Sequence, residues 1–254
     1  GTAAHYDRNR AIQSATLELI EREAFMVSYL NRLTGLTILN RELPDGIQKR
    51  LRVLNRAGFR TVVKDLTMDL APVAFVFAQS EKLTFTTCAG SCDFSYEKAL
   101  DHALMEVEAA VYCRLSGNPA KPIGYRQVRF TEDHGNLYEQ PRYFRKADFL
   151  GGSSRTTSFQ TAGNSAAKSW QELVDRLIDG GHSLIVVDLP AKNGLRETEL
   201  KTVKVFASGI VPISFGYNVE PLGMRRIYDL PIKLGFLDRP RTYGQLIKFP
   251  HPYT

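Results

Sequence analysis

HYDRNRAIQSATLELIE (residues 5–21) aligns without gaps with DFSYEKALDHALMEVEA (residues 93–109) further along the chain. Both stretches carry small and apolar residues at helical spacing, with an acidic residue at the same place. The aligned pairs are Ala11 with Ala99, Ile12 with Leu100, Ala15 with Ala103, Leu17 with Met105, and Glu18 with Glu106. The alignment predicts an internal duplication, and chance similarity between two amphipathic helices is the alternative.

The predicted elements follow the same order in both halves of the chain. Helices are predicted over 7–32 and 44–57 and strands over 59–67 and 72–79, then helices over 96–116 and 168–179 and strands over 183–189 and 201–207. Blocks of helices and strands favour an α+β fold over a doubly wound sheet. We expect two related helix-plus-sheet units, about 1–90 and 91–254, packed around a cleft, with a mobile polar insertion over about 117–167.

The composition is that of a globular protein of 254 residues, with 43% hydrophobic and 24% charged residues. No apolar run reaches the roughly 18 residues of a membrane span, and no secretory signal begins the chain. The three cysteines suit a reducing cytoplasm, and Cys88 and Cys92 lack a second Cys/His pair, so we expect no structural zinc. The net charge of +6 is scattered, which argues against a nucleic-acid partner.

Ser14, Glu18 and Glu21 form one stripe on the first predicted helix, set among small and apolar neighbours. An unpaired carboxylate in such a place costs several kcal/mol, on the order of the cost of breaking a buried ion pair. Three partners are compatible with the spacing: basic side chains such as Arg10 and Arg22, shared protons, or divalent cations. The stripe therefore predicts a cation, without deciding which one.

The second unit offers His102 and Glu106 in the places of Ser14 and Glu18. His102 alone is more typical of an ordinary helix residue, but the repeated stripe makes it a candidate neighbour of a nucleotide. Mg²⁺ is commonly held by carboxylates together with nucleotide phosphates. Since the chain has neither a P-loop nor a Gly-x-Gly-x-x-Gly motif, side chains and metals would have to hold the nucleotide.

Five segments of the chain carry a further signal: GTAAHYDRNRAIQSATLELIERE (1–23), VVKDLTMDLAPVAFVFA (62–78), ALDHALMEVEAA (99–110), FGYNVEPLGMRRIYDLPIKLGF (215–236) and FPHPYT (249–254). Together these segments resemble the YcaO family. The last two are most similar to the D-type (SagD-like) cyclodehydratases, which form azolines in thiazole/oxazole-modified peptides. The resemblance spans nearly the whole chain and implies a YcaO-like fold whose two units enclose a nucleotide cleft.

The resemblance also implies an ATP- and Mg²⁺-dependent reaction. A Cys, Ser or Thr side chain of a ribosomal precursor peptide adds to the preceding backbone carbonyl. ATP then phosphorylates the amide-derived oxygen, and phosphate leaves as the thiazoline or oxazoline ring forms. The alternatives are another YcaO modification, namely thioamidation or macroamidine formation, and a non-catalytic scaffold subunit of a peptide-modifying complex.

By the same resemblance, Glu18, Glu21 and Glu106 are magnesium ligands, with Ser14 and His102 close to ATP. Ala109 stands where the family often carries Gln.

Arg226 matches a nucleotide-facing catalytic arginine of the family, more closely than its neighbour Arg225 does. A surface ion pair is the alternative for Arg226. A tail containing Pro250 and Pro252 resembles one that reaches the active site, so Thr254 would supply a catalytic terminal carboxylate.

Family members carry a segment ahead of the GTAAH motif, so residues 1–254 are expected to form a YcaO domain without its N-terminal segment. Peptide recognition would then depend on an E1-like, leader-binding partner protein. A homodimer is one open form of assembly, and the expected location is the cytoplasm.

Overall fold

The computed structural model of the protein describes residues 1–117, 121–153, 155–190 and 199–253. It has the mixed helix and sheet content that the sequence predicts. The elements are β1 (Thr2–His5), α1 (Arg8–Leu30), β2 (Leu36–Ile38), α2 (Asp45–Arg56), β3 (Arg60–Asp65), β4 (Val73–Ser80), β5 (Phe85–Cys92), α3 (Tyr96–Leu115), α4 (Thr131–Tyr138), α5 (Pro141–Phe144), β6 (Thr156–Thr157), α6 (Trp170–Asp179), β7 (Leu184–Leu189), β8 (Lys201–Ala207) and α7 (Arg226–Lys233).

The larger sheet has five strands in the order β5-β4-β3-β2-β6, antiparallel except for the parallel pair β2 and β6. All eight residues of β4 are buried, because both faces of the strand are covered. Phe75 and Phe77 pack in the same core as α1, whereas Ala74 and Val76 pack with α3. Since side chains alternate along a strand, α1 and α3 lie on opposite faces of this sheet.

The smaller sheet has three antiparallel strands in the order β1-β8-β7. Ala11 and Ala15 of α1 pack against Val203 and Val205 of β8, and their small side chains bring helix and sheet close together. Each sheet contains strands from both predicted halves, because β1 joins β8 and β6 joins β2. The division near residue 90 falls inside β5, and the duplication stays a prediction.

The segment predicted as a mobile insertion contributes several residues to the core. It forms α4 and α5, and His134, Leu137 and Tyr138 are fully enclosed. The prediction is wrong for these residues, because the buried side chains of the short helix α4 recur too few times to show a period in the sequence. None of the helices in the described part of the chain has the length and apolar character needed to cross a bilayer.

Candidate functional site

Helix α1 carries the carboxylates predicted for the first unit. The helix begins after Asp7, whose Oδ1 atom accepts hydrogen bonds from the backbone N–H groups of Asn9 at 2.8 Å and Arg10 at 3.4 Å. This cap satisfies two amides that have no partner inside the helix. It starts the helix nearly two turns ahead of Ser14, so the acidic stripe lies well inside the helix.

Glu18 has protein partners on both carboxylate oxygens. Its Oε1 atom forms an ion pair with Arg22 of the same helix, and Oε2 accepts a hydrogen bond from the Thr2 backbone N–H at 2.8 Å. Of the two local arginines named from the sequence, Arg22 therefore pairs with Glu18, whereas Arg10 forms no ion pair with it among the described residues. A metal ion at Glu18 Oε1 would meet the positive charge of Arg22.

Glu21 lies between the edge strand β5 and the C-terminal residues. The Tyr253 hydroxyl donates to Glu21 Oε1 at 2.5 Å, and the Gly90 backbone N–H donates to the same hydroxyl at 3.0 Å. A Cβ atom at Gly90 would lie 3.2 Å from Tyr253 Oη and 3.4 Å from Glu21 Cγ, so glycine makes room for this contact. Burial raises the pKa of Glu21 to about 8, the Tyr253 hydrogen bond opposes the rise, and the charge of Glu106 adds to it.

Helix α3 contributes Glu106 and His102. Its apolar face packs on the larger sheet, which leaves both side chains on the exposed side, one turn apart. Partial burial raises the pKa of the Glu106 carboxyl, His102 and Arg22 oppose the rise, and Glu18 adds to it. The carboxylates of α1 and α3 thus lie within electrostatic reach of one another.

No three His, Cys, Asp or Glu side chains within the described ranges converge at metal-binding spacing. In this conformation Glu18 and Glu21 have separate protein contacts, and Glu106 lies within electrostatic range of both. Their donor chemistry nevertheless suits Mg²⁺, which prefers carboxylate oxygens. The raised pKa of Glu21 also marks a carboxylate whose charge a cation would stabilise.

Ser14 lines a cavity of about 580 Å³ between the N-terminal turns of α1 and α3. Three cationic side chains, Arg10, Lys98 and Lys168, also line it, together with one acidic side chain, Asp93. The volume is within the usual range for a small-molecule site, and cationic walls suit an anionic ligand. Because Glu18 follows Ser14 by one helical turn, the cavity adjoins the acidic stripe.

Arg226 lies in a separate, partly buried ion-pair network. Its guanidinium donates to both oxygens of Glu23, at 2.8 and 2.7 Å, and to both oxygens of Asp69, at 2.7 and 3.1 Å. Burial opposes the charge, but the bonds to Glu23 and Asp69 raise the pKa of Arg226 above its usual range. Arg226 also lines a cavity of about 490 Å³ that shares no wall residue with the one at Ser14. Its predicted role near the nucleotide stays a prediction.

The C-terminal tail runs through the core toward the acidic stripe. Tyr138 donates its hydroxyl proton to the Pro250 carbonyl at 2.7 Å, and His134 Nδ1 donates to the His251 carbonyl at 2.7 Å. These bonds hold the tail so that Tyr253 reaches Glu21. Thr254, the predicted catalytic terminus, lies outside the described residues.

Sequence reasoning missed Lys98, Lys168 and Tyr253 at these sites, and it named Arg10 only as an ion-pair partner of the glutamates. Arg10 precedes Ser14 by four residues and Lys98 precedes His102 by four, so extending each stripe by one turn would have found them. Lys168 and Tyr253 come from distant segments, and no local pattern indicates that they meet the stripes.

The described structure thus combines an α+β architecture with neighbouring carboxylates on α1 and α3 and a cavity whose charged side chains are mainly basic. Residues 1–211 match a family described as YcaO cyclodehydratase, ATP- and Mg²⁺-binding. The chain belongs to the YcaO family. This result confirms the resemblance found in the sequence and the expectation that ATP and Mg²⁺ are the cofactors of the family.

Solved structures confirm the fold. A heterocyclase in complex with substrate and cofactor has a TM-score of 0.75 and 20% identity, over 99% of this chain and 32% of that one. YcaO from Methanopyrus kandleri, bound with AMPPCP and Mg²⁺, has a TM-score of 0.63 and 19% identity, over 83% of this chain and 54% of that one. The E. coli microcin synthetase McbBCD complex with pro-MccB17 bound has a TM-score of 0.57 and 14% identity, over 84% and 54%. This chain thus spans between 32% and 54% of their lengths.

Among curated proteins, Persephin from Rattus norvegicus is 32% identical over 88 residues, or 34% of this chain and 55% of Persephin. A match of that extent assigns no family.

Proposed function

We propose that the protein is an ATP- and Mg²⁺-dependent cyclodehydratase of the D-type. It would form thiazoline and oxazoline rings from Cys, Ser and Thr residues of a ribosomal precursor peptide. The observation that carries the proposal is the grouping of Glu18, Glu21 and Glu106 near a cavity whose charged side chains are mainly basic, with Glu18 one helical turn from Ser14 in the cavity wall. Carboxylates for a metal and cations for phosphates are the two parts that an ATP site without a P-loop requires.

In this proposal Glu18, Glu21 and Glu106 would hold Mg²⁺, which neutralises phosphate charge when bound. Glu21 is the carboxylate best suited to exchange a proton for a metal, because burial already disfavours its bare charge. Glu18 keeps one oxygen oriented by the Thr2 amide and would exchange Arg22 for the metal. The acids on α1 and α3 would thus act from both sides of β5.

The nucleotide would occupy the cavity at Ser14. Arg10, Lys98 and Lys168 would bind the phosphates there, Ser14 would donate a hydroxyl hydrogen bond, and His102 would lie near the phosphates on α3. Lys168 is already oriented, since its Nζ donates to the Gly163 carbonyl at 2.7 Å. The chain's task would be to position the reacting groups and to exclude water from the activated amide.

Two further residues belong to the proposal. The contact between Tyr253 and Glu21 supports a role for Thr254, the next residue in the sequence, in proton transfer through its carboxylate. Arg226 would support the site through Glu23, which lies two residues after Glu21 on α1, and a direct contact with the nucleotide is its second role to test.

The precursor peptide and an E1-like, leader-binding protein are the proposed partners. Support comes from the McbBCD neighbour, which is a synthetase complex with pro-MccB17 bound. A homodimer remains a further proposal for the assembly.

In the test, the protein is mixed with the E1-like, leader-binding protein, ATP and a precursor peptide, and ADP release and the mass of the peptide are measured. We expect Glu21→Gln and Glu106→Gln to lower ATP turnover about a hundredfold or more, because each removes a proposed metal ligand. Glu97→Gln is the matched control, since Glu97 is an exposed carboxylate on α3. Each ring should remove the mass of one water from the peptide. Exchange of oxygen for sulfur, or no ADP release, would contradict the proposal.

A further inference from the structure

A strongly basic surface lies outside the acidic site, where two cavities share Arg32 as a wall residue. The first, of about 370 Å³, is also lined by Arg142, Arg145 and Lys146, and the second, of about 190 Å³, by Arg155 and Arg241. We name the surface formed by these six residues the basic groove. It brings together cations from the turn after α1, from α5 and the turn after it, from the residue before β6, and from the segment after α7.

The positive charges of the basic groove are largely uncompensated within the described chain. No Asp or Glu there lines either cavity, and only Arg145 of the six forms ion pairs, with Glu81 at 3.0 Å and Asp148 at 3.5 Å. The Arg241 Nε atom is enclosed and has no hydrogen-bond partner among the described residues. Clustered like charges raise the local potential and favour an anionic ligand.

Aromatic rings in the groove already hold the cations in place. Arg32 lies 5.2 Å from the centre of the Phe149 ring, and Lys146 lies 4.9 Å from that of Phe249. Proteins that bind single-stranded nucleic acids stack bases on free aromatic faces, but here a cation covers one face of each of these rings. Guanidinium groups fixed in this way suit the paired oxygens of a carboxylate.

We propose that the basic groove binds an acidic segment of a peptide. Carboxylate side chains would meet the free guanidinium and ammonium groups, and apolar side chains between them would contact Ile247 and Leu237. The inference rests on the proposed function for the identity of the peptide, which would be the precursor that the enzyme modifies.

The test is binding of a fluorescein-labelled peptide with alternating Glu and Leu, followed by fluorescence anisotropy at low salt without ATP. We expect the double variant Arg142→Gln/Lys146→Gln to raise the Kd about tenfold or more, because charge-assisted hydrogen bonds are lost. Arg52→Gln/Arg56→Gln is the matched control, since it removes two exposed charges from α2 and should leave the Kd unchanged. On peptide binding, hydrogen exchange should slow in 142–149 and 247–249.

Several outcomes would overturn the inference: equal weakening by both double variants, equal binding of the same peptide with Gln in place of Glu, or tighter binding of oligo(dT) with the same variant dependence. Retained thermal stability of the variants is checked first, and both pairs of side chains are exposed. Glu21→Gln should bind the acidic peptide like the unmodified protein. A failure of ring formation would therefore leave the binding of the acidic peptide to the basic groove intact. A failure of peptide binding at the groove would likewise leave the test of ring formation intact.

Discussion

Replacing Arg226 by glutamine should unfold the protein at a lower temperature. The guanidinium makes four hydrogen bonds of 2.7 to 3.1 Å to two carboxylates, and the Glu23 side chain is only 2% exposed. Glutamine is too short and uncharged to replace this fork, so Glu23 would be left buried without its cation. The substitution therefore tests whether Arg226 supports the fold, independently of any contact with nucleotide.

The size of the effect follows from the partners that remain. Breaking a buried ion pair by removing one member costs about 3 to 5 kcal/mol. Asp69 keeps Lys233 at 3.2 Å, and Glu23 keeps the Val211 backbone N–H at 2.9 Å, so the lower end, about 3 kcal/mol, is expected. For a chain of this length each kcal/mol lowers Tm by about 2 to 4 °C, which gives a decrease of about 6 to 12 °C.

The assay is calorimetric unfolding beside urea titration. Arg225→Gln is the matched control, because Arg225 is the exposed neighbour and loses the same charge. Adding Glu23→Gln to Arg226→Gln should recover part of the lost stability, since the uncompensated charge is then removed. A Tm equal to that of Arg225→Gln, together with lost ATP turnover, would refute the structural role and favour a direct contact with nucleotide.

Three further predictions concern the tail and the edge strand. Gly90→Ala should lower the free energy of unfolding by about 1 to 3 kcal/mol in urea titration, because the added Cβ would crowd Tyr253 and Glu21. Gly46→Ala is the control: a Cβ at Gly46 has no atom within 4 Å, so this substitution should not destabilise the protein. Tyr253→Phe should raise the Mg²⁺ concentration for half-maximal ATP turnover, because Glu21 loses its orienting hydroxyl; an unchanged Mg²⁺ dependence, as expected for exposed Tyr243→Phe, would contradict this. Burial, followed by the His134 charge, lowers the pKa of His251 to about 3, so the folded protein binds fewer protons than the unfolded chain between pH about 6.5 and 3. The free energy of unfolding should therefore decrease as the pH is lowered through that window, by up to about 1.4 kcal/mol per pH unit. His251→Phe should make the free energy of unfolding less dependent on pH, as measured by urea titration at pH 5 and 7.5.

The main elements were predictable where the sequence shows a strong local period. Helices α1 and α3 combine alanine and leucine on one face, and β4 is rich in valine and phenylalanine. Strand β5 was missed because FTTCAGSC carries small and polar residues, which are buried only because α1 and α3 cover both sides of the sheet there. Strands β1 and β6 are too short for any period to show.

The candidate site likewise contains some residues that local spacing predicts and others that it does not. Glu18, Glu21 and Glu106 lie on helical stripes, so their spacing alone drew attention to them. Their partners are a mixture: Arg22 is local to Glu18, but Tyr253 reaches Glu21 from the other end of the chain. Contacts of that kind depend on the tertiary fold and leave no spacing signal in the sequence.

Strand β1 finds its partner about four fifths of the chain length away, where Thr2 pairs with Lys204. Contacts between segments so distant form slowly, because closing a long loop costs entropy before the pairing stabilises it. During synthesis α1 can begin to form as soon as it leaves the ribosome, but β1 must wait for β8. The amide of Thr2 that orients Glu18 is therefore set late, and the acidic site is among the last parts of the molecule to be completed.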